Sequence, residues 1–263
     1  MRAFLEKIQN EWLDDFVYAS KQPLINLGID VIPFDGTRLD FHFGETFNYD
    51  IKNDICIGSV EATSRFFKAC GIETPKYIGY PAELRDFLYR KITKLKFSQI
   101  GDGNYPYFIK PAEDIKLFTG TLVDSKKQFD LLKVFYPQIT DDTLMYISEP
   151  IDIKSEFRCF VYNGEIKGIQ YYKGDCLFLP DVKTIKEMVK TYENPPVAYT
   201  IDVGVSYIPK YGNFETILIE INDFWAIGSY GFDSELYVKM IIDRTREIAG
   251  LPTRKEINEG LKY

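Results

Sequence analysis

The sequence predicts a chain that combines the α/β and α+β classes: a small α/β lobe at the N-terminus, then two lobes in which strands dominate. Three observations carry this reading. Apolar runs and helix-capping signals alternate over the first 80 residues, the pattern of an open α/β sheet. Asn163-Gly164 separates two apolar runs, a strong hairpin signal because a type I′ turn needs φ > 0 at both central residues. A second pair of such runs, 197–205 and 215–221, is joined through Tyr211-Gly212-Asn213. The lobes are placed at 1–80, 81–148 and 149–263.

The elements follow in order. Residues 3–18 read as an amphipathic helix, with Phe4, Leu5, Ile8, Trp12, Leu13 and Phe16 on one side and Pro23 barring its continuation. Leu27 to Phe34 reads as a helix end and a short strand. Ser59 caps a helix that buries Ala62, Phe66 and Ala69 and stops at Gly71. Pro81 opens another, with Leu84, Phe87, Leu88 and Ile92 as its apolar face. Gly101-Asp102-Gly103-Asn104 is a loop and a candidate break before the strand-rich part. Tyr107 to Pro111 is a strand, Asp124 or Ser125 caps a helix carrying Phe129, Leu132 and Phe135, and Leu144 to Glu149 is another strand. Asp181 caps a helix that turns Val182, Ile185, Met188 and Val189 inward, and a last helix runs from Ser234 to Ala249.

Composition narrows the chemistry. At 263 residues with 45% hydrophobic and 27% charged side chains, the chain can bury a real core. A net charge of −7 disfavours general nucleic-acid binding, which usually needs a basic face. No apolar run reaches the ~18 residues that span a bilayer, and the first residues lack the long apolar stretch of a signal peptide. A cytoplasmic protein with no membrane partner is expected. Cys56, Cys70, Cys159 and Cys176 show no Cys-x-x-Cys spacing and read as buried reduced thiols. The single histidine, His42, sits in an aromatic stretch and reads as structural. A multi-histidine metal site is excluded, so any chemistry must use carboxylates, amines, guanidinium groups and hard cations.

Three constellations stand out. The first is Ile109-Lys110-Pro111 with Lys116-Leu117-Phe118-Thr119-Gly120: amines at a strand end and a glycine turn that lets backbone approach phosphate oxygens. Two solvated lysines around a loop would look the same. The second runs from Ser148 to Arg158. There Glu149 and Ile151 offer backbone groups for an adenine edge, Glu156 offers a carboxylate for ribose hydroxyls, and Arg158 shares its strand face. A surface Glu–Arg pair is the bland alternative. The third is Asp202 with Glu220 and Asn222. The latter two lie at i and i+2 on a strand, and Asp202 falls opposite if the strands pair. Hard oxygen donors on one sheet face suit Mg²⁺, and carboxylates in an apolar strand are costly unless partnered.

In this order the constellations resemble the ATP-grasp superfamily, specifically the RimK-like carboxylate–amine ligases and most closely the small phage and bacterial R2K clade. The resemblance spans about residues 75–245. It implies the ATP-grasp fold, with ATP between the second and third lobes. It implies that Lys110 contacts the α- and β-phosphates and that Lys116, Thr119 and Gly120 belong to the segment folding over them. It implies Glu149 and Ile151 at the adenine hinge and Glu156 on the ribose. Arg158 falls beside the transferring phosphate and Lys173 on the same pocket, both as catalytic residues. Asp202, Glu220 and Asn222 are implied as Mg²⁺ ligands. The implied activity joins a small-molecule, peptide or protein carboxylate to an amine through an acyl phosphate. A regulatory nucleotide-binding module, a kinase on the same fold and a structural protein remain the alternatives. One departure is plain: where many relatives carry a short Pro-Gly turn after the asparagine, this chain has Asp223-Phe224-Trp225-Ala226-Ile227-Gly228-Ser229-Tyr230-Gly231.

Overall fold

The computed structural model describes residues 1–9, 11–36, 49–101, 105–113, 117–254 and 256. His42 and Lys116, and the expectations attached to them, lie outside these residues. Among the described residues the strands form three sheets, each built from one continuous part of the chain.

The first sheet centres on β1 (Arg2–Ile8), which runs parallel to β3 (Asp30–Asp35) and β4 (Asp54–Ile57) and pairs antiparallel with the short β2 (Glu11–Trp12). The helix expected over 3–18 is therefore a strand. The reason is burial on both faces: Ala3 and Leu5 pack toward Phe16, Val17 and Leu24, whereas Phe4 packs toward Phe66 and Phe67. A central parallel strand shows a continuous apolar run instead of alternation, and here that run also fits a helical spacing. The helix begins later, as α1 (Asp15–Asn26) capped by Asp14, and Pro23 lies inside it. Buried packing of Pro23 and Leu24 overrides the proline's poor propensity. Ser59 caps α2 (Val60–Ala69) as expected, its hydroxyl accepting from the Ala62 N–H at 3.1 Å.

The second sheet is antiparallel in the order β5-β8-β6-β7, from β5 (Ile92–Lys96), β6 (Tyr107–Pro111), β7 (Thr121–Val123) and β8 (Leu144–Ser148). Ser125 caps α3 (Lys126–Phe135), which lays Phe129 and Leu132 on the sheet and leaves Phe135 exposed. Phe97 stacks on Phe129 at 4.5 Å between centroids. The helix expected from Pro81 to Ile92 is only a 3-10 segment, Ala82–Phe87. Leu84, Leu88 and Ile92 all pack on the core of the third sheet, but the Ile92 backbone pairs with Ser148 of β8, so the chain leaves the helical path before Ile92. Of the expected break at 101–104, residues 102–104 lie outside the described residues; the strands on either side, β5 and β6, both pair with β8.

The third sheet has the order β10-β9-β11-β12 and is antiparallel throughout. Its strands are β9 (Ile153–Tyr162), β10 (Glu165–Gly174), β11 (Ala198–Ile208) and β12 (Asn213–Asp223). Asn163 and Gly164 turn the first hairpin with φ of 52° and 76°. One face is covered by α4 (Val182–Thr191), capped by Asp181, through Ile185 and Met188; Val182 is exposed, contrary to expectation. α5 (Ser234–Ile248) packs Tyr237, Val238 and Ile241 with Phe160 of β9, with Ala3 and Leu5 of β1, and with α1, joining the first and third sheets in one core. None of the four cysteines forms a disulfide; Cys56 and Cys159 are buried as expected, but Cys70 is half-buried and Cys176 exposed.

Phe160 is fully buried, stacks on Phe232 at 4.1 Å and meets Phe224 edge-on. Phe160→Ala is expected to lower unfolding stability by about 3–5 kcal/mol, read from denaturant midpoints at constant m-value.

Candidate active site

The registers of the third sheet line up the polar residues. Arg158 of β9 lies opposite Asp202 of β11, and Asp202 lies opposite Glu220 of β12. Cross-strand partners share a face, so these three, with Glu156 two residues from Arg158 and Asn222 two residues from Glu220, occupy one face of the sheet. A β-bulge aims Glu220. The pairing Asp202–Glu220 is followed by Val203–Leu218, which leaves Ile219 as an extra residue. Without it Leu218 would share the face of Glu220; with it Leu218 turns into the core with Val203 and Ile221.

A second bulge sits on β10. Tyr171 pairs with Phe157 and Lys173 with Glu156, so Tyr172 is extra. Both Tyr172 and Lys173 consequently reach Glu156, the phenol donating at 2.9 Å and the ammonium at 2.7 Å. Lys173 is itself exposed.

Arg158 is buried and forked onto Asp202, Nε to Oδ1 at 2.9 Å and Nη2 to Oδ2 at 2.7 Å, with Nη1 donating to the Gly228 carbonyl at 3.1 Å. Burial works against its charge, but the Asp202 carboxylate outweighs it and raises the guanidinium pKa. Burial pushes the Asp202 carboxyl up, against the pull of Arg158. The Asn222 amide nitrogen donates to Asp202 Oδ2 and to Glu220 Oε1, each at 3.2 Å.

Lys110 comes from the second sheet, at the end of β6, and its ammonium donates to Glu220 Oε2 and to the Tyr77 hydroxyl. Tyr77 donates to the same carboxylate oxygen. Burial opposes the ionised Glu220, yet the Lys110 charge and the hydrogen bonds from Lys110, Tyr77 and Asn222 win and hold its pKa at about 2. Burial likewise disfavours the Lys110 ammonium, and Glu220 more than restores it. Burial and the adjacent Glu220 push the Tyr77 phenol up, so it stays a donor. Tyr77 and Tyr80 also lie near the Lys110 ammonium, their ring centroids at 4.8 and 5.0 Å.

Gly120 lies against this lysine. A Cβ there would come within 2.3 Å of the Phe108 ring and 3.1 Å of Lys110 Cβ, so only glycine lets the loop cross β6 so closely. Thr119 beside it is exposed. Glu149 and Ile151 lie in the short connection from β8 of the second sheet to β9 of the third. The side chain of Glu149 is exposed and accepts from the Lys91 N–H at 3.4 Å.

The structure thus draws Lys110, Glu156, Arg158, Lys173, Asp202, Glu220 and Asn222 into one connected patch, with Gly120 against it. Sequence reasoning missed Tyr77, Arg90, Tyr172 and Tyr230. Arg90 is the least legible: its guanidinium donates to the carbonyls of Leu218 at 2.8 Å, Ile219 at 3.1 Å and Leu88 at 3.0 Å, clamping the bulge itself. Tyr77 precedes Gly79, whose backbone exchanges hydrogen bonds with Ile221, which sets that segment along β12. Tyr230, at φ 48°, stacks on Tyr172 at 4.9 Å and lies under the Arg158 guanidinium at 4.8 Å. No local motif marks these residues, although the tyrosine-rich composition points to aromatic-lined sites.

The donor chemistry of Asp202, Glu220 and Asn222 fits a hard cation: two carboxylates and one amide, mutually within 3.2 Å through Asn222. Among the described residues no group of three His, Cys, Asp or Glu side chains is placed to hold a metal ion. A surface concavity of about 630 Å³ lies elsewhere, beside Glu247, Leu251 and Thr253. Among the described residues no helix is long and apolar enough to cross a membrane.

Comparison with known proteins places this geometry. D-alanine–D-alanine ligase from Bacillus anthracis superposes with a TM-score of 0.55 at 13% identity, covering 95% of this chain and 98% of that one. The same enzyme complexed with ATP superposes at 0.53 and 13% identity, with coverages of 95% and 97%. D-cycloserine synthetase DcsG gives 0.54 at 10% identity, with coverages of 93% and 100%. These similarities show the fold. No curated protein matches the sequence. Residues 87–240, more than half of the chain, match the ATP-grasp domain of R2K clade family 2, and the chain belongs to that family.

Proposed function

We propose that this protein is an ATP-dependent carboxylate–amine ligase that works through an acyl phosphate and releases ADP and phosphate. One observation carries the reading: an amine from the second sheet and the oxygen donors of the third meet at Glu220. Three lobes, 1–80, 81–148 and 149–263, would then hold ATP between the latter two. The names of the solved relatives, a ligase and a synthetase, agree with this direction.

Each residue has a role. Lys110, with Lys116 and the Thr119-Gly120 turn, would hold the phosphates. The backbone of Glu149 and Ile151 would read the adenine edge and Glu156 the ribose hydroxyls. Asp202, Glu220 and Asn222 would hold Mg²⁺, which when bound neutralises phosphate charge. Arg158 orients the transferring phosphoryl group, with Lys173 at the pocket edge. A substrate carboxylate oxygen attacks the γ-phosphorus as the bond to ADP breaks. The amine then attacks the acyl carbon, phosphate departs and the nitrogen loses its proton. A carboxylate is already nucleophilic at neutral pH, so positioning and charge neutralisation suffice, and no histidine base is required.

The test is incubation with Mg-ATP and amino-acid mixtures, with ADP release followed by coupled assay and an amide product by mass spectrometry. Absence of ADP release with every mixture, or a stable phosphorylated product, would overturn the proposal. Lys110→Ala is expected to weaken ATP affinity, whereas Glu220→Ala abolishes turnover while the chain stays folded.

Lys110 and Arg158 each hold a carboxylate of the cation set. A cation held by that set would free Lys110 and Arg158 for phosphate, so nucleotide and metal are expected to bind with positive coupling. Calorimetry should show ATP affinity rising about tenfold or more with saturating Mg²⁺. Arg90→Met strands two carbonyls at the bulge that aims Glu220. It is expected to cost about 1–3 kcal/mol of stability and about tenfold or more in turnover, measured by denaturant melts and ADP release.

A further inference from the structure

One atom on the site face is unaccounted for. Thr200 lies on β11 two residues before Asp202, on the same face, and is fully buried. Its hydroxyl oxygen has no hydrogen-bond partner among the described residues. A buried hydroxyl without a partner costs stability that a valine of the same shape would not, so its presence asks for a state in which it is used.

The residue directly opposite supplies that state. Thr200 pairs in register with Asn222 of β12, and side chains so placed have Cβ atoms roughly 4.5–5.5 Å apart. Asn222 points its amide nitrogen at Asp202 and Glu220. A primary amide offers oxygen on one side and two N–H donors on the other. A cation held by the same two carboxylates requires the oxygen. Rotating the amide brings Oδ1 inward and turns the NH₂ away from the carboxylates, where it needs a new acceptor.

We propose that Thr200 is a positioning residue for Asn222: its hydroxyl accepts the amide N–H when the amide oxygen faces the cation and so fixes the amide in its ligating orientation. Partners of this kind orient metal ligands and tune affinity. The proposal rests on the reading that Asp202, Glu220 and Asn222 hold a divalent cation, and it adds a residue that touches neither metal nor nucleotide.

The test measures Mn²⁺ binding by electron paramagnetic resonance in the presence of a non-hydrolysable ATP analogue, together with the melting temperature of the unliganded protein. Thr200→Val is expected to weaken Mn²⁺ binding about tenfold while leaving the unliganded melting temperature unchanged or raised, and Thr200→Ser should restore wild-type binding. In an Asn222→Ala background, Thr200→Val should cause no further loss, because the hydroxyl acts through the amide. Wild-type Mn²⁺ affinity in Thr200→Val, or the same loss in both backgrounds, overturns the role of Thr200. So does a lowered melting temperature that Thr200→Ser does not rescue. If Asn222→Ala binds Mn²⁺ as tightly as wild type, the cation site fails too, which separates that failure from the failure of Thr200 alone.

Discussion

Lys110 leaves the end of β6 and meets Glu220 on β12, so an ammonium and a carboxylate from two sheets that share no strand are held in one hydrogen-bonded pair. Neither charge is stable there alone, because burial disfavours both ionised forms. Each is tolerable because the other is present, with Tyr77 and Asn222 satisfying further lone pairs of the carboxylate. Such a pair adds little net stability, but it forces the second and third sheets to present complementary charge at the same point. Arg158 and Asp202 repeat the arrangement within the third sheet. The patch therefore carries its own counterions.

Two of the register shifts in the third sheet achieve this. An unbroken β12 would align Leu218, Glu220 and Asn222, forcing either a leucine into the polar patch or a carboxylate into the core. The extra residue Ile219 removes that conflict, and Arg90 donates to the carbonyls of Leu218 and Ile219 on this edge strand. The extra Tyr172 on β10 puts two donors opposite the single carboxylate of Glu156. Both bulges lie beside the patch, consistent with the use of bulges to re-aim side chains near functional sites.

Much of this was legible in the sequence, for physical reasons that differ by element. Asn163-Gly164, Ser59, Ser125 and Asp181 are local chemistry, and local chemistry survives folding. The site strands were legible because carboxylates and an amide inside apolar β-runs demand a partner. β1 was misread because burial on two faces erases the alternation that distinguishes strand from helix. Ile92 fits the apolar spacing of the 82–88 segment because it packs against the same cluster as Leu84 and Leu88, but its backbone pairs with Ser148 of β8, which no window of sequence reveals. Tyr77 and Arg90 were invisible because the partners that bring them to the patch, Glu220 for Tyr77 and Leu218 and Ile219 for Arg90, lie more than 120 residues away.

The segment after Asn222 shows how the first lobe bears on this patch. Asp223 is forked onto Arg244 of α5. Phe224 then enters the core shared by α1, α5 and β1, and Trp225 packs on Phe67 of α2. Three residues later the Gly228 carbonyl takes Arg158, and Tyr230 lies under the same guanidinium. One short stretch thus runs from the metal-type donors through the packing of the N-terminal lobe to the arginine. A Pro-Gly turn at this point would lack the two large aromatic anchors, and bulky side chains with fixed partners hold a backbone more firmly than a turn alone. The aromatic segment ties the position of Arg158 to the packing of α2 and α5, a mechanical link between the first and third sheets.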